Sequence, residues 1–182
     1  MRAPTALLIA VLGVVPVATA QETPSVRQEI FRRISEGRGA LDLGDFKKAA
    51  ADLCWASRRA LNSHDAAWYC GRARLKARDP EGAAKALLLA TDIDLYLLTT
   101  WIDLGDALIA AGRPAEASPA YYKALALRKD YSAAWDGLAR VAQRTGKEQE
   151  ALDLFAKALE ANASDARARL HRGQLHLDAG RL

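Results

Sequence analysis

The chain has 182 residues, 51% of them apolar, with a formal net charge of +4. That length and apolar share suffice for one ordinary domain with its own core, which excludes a disulfide-held miniprotein and a disordered chain. Lys and Arg are interspersed with Asp and Glu instead of forming a basic block, so nucleic acid is not an expected partner.

The first twenty residues differ in kind. Arg2 precedes the apolar run Leu7 to Val17, and Ala18, Thr19 and Ala20 supply a small-x-small cleavage signal. This pattern predicts a secretory signal peptide over 1–20, a mature chain starting near Gln21, and an exported protein, periplasmic or secreted. An uncleaved anchor is the alternative, although the run is shorter than the roughly 20 apolar residues that span a bilayer. No later segment could span, so no stable membrane insertion is expected once the signal is cleaved. The remainder, 21–182, is rich in alanine and leucine, which predicts helix.

From residue 30 onward the chain repeats. Trp101 and Trp135 lie 34 residues apart, as do Leu104 and Leu138. Ala49, Ala83, Ala117 and Ala151 form one column at this interval, and Leu53, Leu87, Tyr121 and Phe155 another. Gly37, Gly71, Gly105, Ala139 and Gly173 form a small column. Gly44, Gly112, Gly146 and Gly180 form a further one, with Arg78 in the second position. Each column suits two helices per repeat. Small residues let helices approach, and glycine takes the left-handed conformation that ends a helix. Asp79-Pro80 and Arg113-Pro114 restart the chain as a new helix, because proline tolerates the first helical turn and Asp79 can cap it. Ser25 with Gln28 reads as a capping box opening the first helix.

The units read as 30–63, 64–97, 98–131 and 132–165, followed by a half repeat over 166–182. Their columns resemble the tetratricopeptide pattern. Trp101, Leu104, Gly105, Leu108, Ala117, Tyr121 and Ala124 match it in the third unit. Trp135, Leu138, Ala139, Ala142, Ala151, Phe155 and Ala158 do so in the fourth. The first two units depart from it, with Arg33, Glu36, Ala67 and Cys70 in large apolar columns, and the usual proline near each unit's end is missing. The resemblance implies an all-α fold: a right-handed α-solenoid of four helix-turn-helix repeats closed by a capping helix, which we place at 164–179. It also implies a partner held in a groove lined by the first helix of each repeat.

On that implication the groove carries Arg38, Trp68, Tyr69, Arg72, Asp106, Arg140 and Arg144. Trp68 stands out, because Ala67 occupies the structural tryptophan column and leaves Trp68 for the exposed groove face. Exposed aromatics beside arginines suit protein binding. The plainer reading stacks Arg72 on Trp68 and pairs Arg140 with Asp136, each four residues earlier.

Signals for catalysis are missing. The sequence holds no phosphate loop, nucleophile elbow or His-Glu-x-x-His, and no cofactor motif. His171 and His176 are five apart, off one helical face, so no metal site is expected and both read as a solvated cap. Cys54 and Cys70 lie eight residues either side of a turn near residue 62, which sets them face to face between antiparallel helices. A disulfide is expected there, with two buried thiols as the alternative. The function expected is that of a non-catalytic adaptor binding a peptide segment of an envelope or secreted protein. The alternative is an accessory subunit that binds an envelope polymer such as a glycan or peptidoglycan fragment.

Overall fold

The computed structural model of the chain describes residues 24–178 and 180; the leader expected over 1–20 lies outside them. Nine α-helices and no strand make up the described residues. They are α1 (Pro24–Asp42), α2 (Phe46–Ser57), α3 (His64–Lys76), α4 (Pro80–Ile93), α5 (Leu98–Ala110), α6 (Pro114–Leu127), α7 (Ser132–Arg144), α8 (Glu148–Ala161) and α9 (Ala166–Asp178). The starts of α3, α5, α7 and α9 fall 34 residues apart, and so do those of α2, α4, α6 and α8.

Helix ends follow the local chemistry. Asp79 caps α4 by accepting the Gly82 amide at 2.9 Å, Asp45 caps α2 through Lys48, and Ser63 caps α3 through Ala66. Pro80 and Pro114 occupy the first turns of α4 and α6. Gly44, Gly112, Gly146 and Gly180 all have positive φ, and Arg78, the exception in their column, adopts φ 62° as well. The turn is thus imposed by the repeat even where the residue carries a Cβ. Ser25 and Gln28 both lie at the start of α1, which begins at Pro24.

Packing is between neighbours. Each helix packs on the next in sequence, and α1, α3, α5, α7 and α9 also touch in succession. The odd-numbered helices therefore form a continuous inner layer, with the even-numbered helices outside it, which is the arrangement of an α-solenoid. The small column explains how the two layers approach. A Cβ added at Gly37, Gly71 or Gly105 would collide with Leu53, Leu87 or Tyr121, the large residue facing it from its own repeat's second helix. Cys54 and Cys70 join α2 to α3 by a disulfide, with their Cα atoms 4.7 Å apart. No described helix is long and apolar enough to cross a membrane.

Candidate functional site

The inner face of the odd helices gathers the groups expected to bind, but in a different state from that expected. Trp68 on α3 is half-buried, not exposed. Its Nε1 donates to Asp103 Oδ2 on α5 at 2.7 Å. The Arg72 guanidinium sits 4.7 Å from its ring centroid, Tyr69 lies 4.8 Å away, and His64 stacks at 6.3 Å. His64 Nε2 is in turn 2.9 Å from Thr100 Oγ1. The stacking of Arg72 on Trp68 is as the plainer reading has it. The burial arises because α3 and α5 touch directly, and Asp103 gives the indole N–H a partner inside that contact.

Arg140 does not pair with Asp136. It reaches back one repeat to Asp106, Nη1 to Oδ1 at 2.6 Å, and Asp106 also accepts from the Tyr121 hydroxyl at 2.8 Å. Asp136 is fully buried and is held from α9 by Arg167 at 3.1 Å and His171 at 2.7 Å. Arg167 extends to Asp106 at 3.5 Å, so one network ties α5, α7 and α9 together. His171 is accordingly not a solvated cap side chain: it is half-buried and shares with Arg167 the partnering of a carboxylate that is wholly out of water. Burial of Asp103 pushes its carboxyl above the ordinary carboxylate range, against the opposing pull of the Trp68 hydrogen bond and of Arg72.

The other expected residues fall at the edges of this face. Arg38 on α1 is exposed and lies 4.9 Å from the Tyr69 ring centroid, so its guanidinium stacks as that of Arg72 does. Arg144, at the end of α7, is exposed and has no ion-pair partner among the described residues. The residues brought together are therefore Arg38, Trp68, Tyr69 and Arg72 at one end, and Asp106 and Arg140 in the middle. Three more members of this face, Asp103, His64 and His171, were not among the groove residues read from the sequence, whereas Arg167 falls in the same set of groove columns as Arg38 and Arg140. A signal for two of them exists: Trp68 to Asp103 and Asp136 to His171 are each one repeat plus one residue apart. Among the described residues no cluster of three or more His, Cys, Asp or Glu could hold a metal ion.

Comparison with known proteins bears on this architecture. Two tetratricopeptide-repeat family models match the chain, over residues 34–94 and 96–164. The chain is a tetratricopeptide-repeat protein. No curated protein matches it. Among solved structures, this tetratricopeptide-repeat protein is similar to a MamA protein, at 19% identity and a TM-score of 0.72 over 85% of each chain. It is also similar to YrrB, described as a TPR protein with an unusual peptide-binding site, at 16% identity and a TM-score of 0.73 over 82% of this chain and 77% of that one. A third is a thermophilic TPR protein from Thermus thermophilus, at 21% identity and a TM-score of 0.67 over 84% of both. At these identities the likeness concerns the fold. Proteins of this repeat family generally serve as non-catalytic scaffolds that bind other proteins or peptides.

Proposed function

We propose that this chain is an exported, non-catalytic adaptor that holds a segment of another envelope or secreted protein against the inner face of its odd-numbered helices. The observation that carries the reading is the arrangement of Arg38 and Arg72 over the rings of Tyr69 and Trp68, which themselves lie 4.8 Å apart. A guanidinium stacked on a ring keeps its in-plane N–H donors pointing outward, so the pair presents two oriented cationic edges beside apolar surface. Those edges suit backbone carbonyls or acidic side chains of an extended segment. Arg140 and Asp106 satisfy each other, and their role is to set the shape of the floor rather than to meet the partner. YrrB, a protein of similar fold, is described as having a peptide-binding site, which supports a peptide as the ligand class.

The polymer reading has less to stand on. A sugar ring needs an open aromatic face, whereas Trp68 is half-buried and crowded by Arg72, Tyr69 and His64.

Site-specific photo-crosslinking in the native compartment tests the proposal. A crosslinker at Arg38 or Arg144 is expected to give a discrete protein adduct, and one at Lys157, on the outer helix α8, none. Adducts from Lys157 alone, or adducts only to insoluble wall material, would overturn it.

A further inference from the structure

A second surface lies away from the inner face. Between the outer helices α4 and α6, with α5 as floor, the structure opens a cleft of about 410 Å3. Trp101, Leu104 and Leu108 form its floor, and Leu88 and Ala120 stand on its walls. The corresponding cleft between α6 and α8 is smaller, about 240 Å3, and Leu154 lines it one repeat on from Ala120. Where Leu154 reaches into the second cleft, the first has only the methyl group of Ala120.

The rim is basic. Lys85 on α4 and Lys123 on α6 are exposed, and neither has an ion-pair partner among the described residues. Arg113, by contrast, is held by Glu81 and Glu116.

The same molecule carries the complement. The connection from α4 to α5 exposes Leu95 by 56% and Tyr96 by 81%, directly after Asp92 and Asp94. This knob is firmly held: Asp94 Oδ1 accepts the Tyr96 amide at 2.9 Å, and the Leu95 carbonyl accepts from Trp101 Nε1 at 2.9 Å. Trp101 therefore both floors the cleft and pins the knob, so the two lie side by side and the knob cannot fold into its own cleft.

From this juxtaposition we infer that the cleft takes the Asp92–Leu97 knob of a second copy of this chain, with Asp92 and Asp94 meeting Lys85 and Lys123. Adjacent complementary patches satisfy each other twice about a two-fold axis, which closes the assembly as a dimer. Exposed apolar side chains of this size mark contact surfaces, and the opposite charges set the register. The contact leaves the inner face free, and it stands independently of the proposed function.

Sedimentation of the purified protein over a range of concentrations tests this, in paired charge variants. Wild type is expected to pass from monomer to dimer as concentration rises. Lys85→Glu with Lys123→Glu makes cleft and knob both acidic, and Asp92→Lys with Asp94→Asn makes both basic, the asparagine keeping the acceptor that holds the turn. Each variant alone is expected to weaken dimerisation about tenfold or more. Mixing the two pairs the acidic cleft with the basic knob and the native cleft with the native knob, so both contacts carry opposite charges and much of the dimer is expected to be recovered. Tyr96→Ser changes no charge and should weaken it likewise, which covers the case of a charge variant that fails to fold. Monomer at every concentration, or a dimer indifferent to these changes, overturns the inference, and a stable complex with a different protein through this cleft would reassign its occupant.

Discussion

Arg140 and Asp106 occupy the same position in successive repeats, and their side chains meet at 2.6 Å between α7 and α5. Each is only about one-fifth exposed, 21% and 20%, so the pair is screened less than a surface ion pair yet is not cut off from water. Arg140→Ala and Asp106→Ala are each expected to cost about 1–2 kcal/mol, between the values for exposed and buried pairs. Measured together by urea unfolding, they should be clearly non-additive, because one contact is lost in both. Additive losses would mean that the contact between them contributes little and that Asp106 acts through Tyr121 and Arg167 instead.

Trp68 is part of the fold as well as of the candidate site. Trp68→Ala should lower stability by about 2 kcal/mol, since it empties a half-buried space and takes the donor from Asp103. Binding assays on this variant therefore need a stability control. The Asp103 carboxyl adds a pH signature. Its folded value is raised above the ordinary 3.8, chiefly by burial, so the unfolded chain releases this proton first as pH rises. Its contribution to stability accordingly falls as pH climbs from about 3.8 through the folded value. Asp103→Asn, which keeps an acceptor for the indole, should compare more favourably with wild type at pH 7 than at pH 3. Thermal melts across that range check the sign.

The ring of Tyr121 is fully buried between two glycines. A Cβ at Gly137 would stand 2.2 Å from it, and one at Gly105 2.5 Å. The hydroxyl is anchored on Asp106, so the ring cannot swing aside. Gly137→Ala should cost about 2–3 kcal/mol by overpacking, despite the better helix propensity of alanine. Gly39→Ala in α1, where nothing lies within 4 Å, should instead stabilise by about 0.5–1 kcal/mol. Chemical denaturation of the two variants gives opposite signs if helix spacing is what the glycine at 137 serves.

Reduction of Cys54–Cys70 should lower stability by about 3 kcal/mol, the loop-closure value for so short a separation. Non-reduced, unfolded protein should show no titratable thiol.

Much of the scaffold was legible in the residues alone, because its causes are local or periodic. A glycine column at 34-residue intervals marks helix ends whatever surrounds them, and even Arg78 follows it. Cysteines equidistant from a turn face each other because antiparallel helices of equal rise must bring them level. Helical period also showed which residues share the inner face. It did not show which of them would pair, since that depends on the offset between helices, which no single helix encodes. Asp136 lies one turn before Arg140, yet Arg167 and His171 of α9 hold its carboxylate while Arg140 turns to Asp106. The exposure expected of Trp68 failed for the same reason: only the approach of α5 brings Asp103 to its indole N–H and draws the ring half out of water.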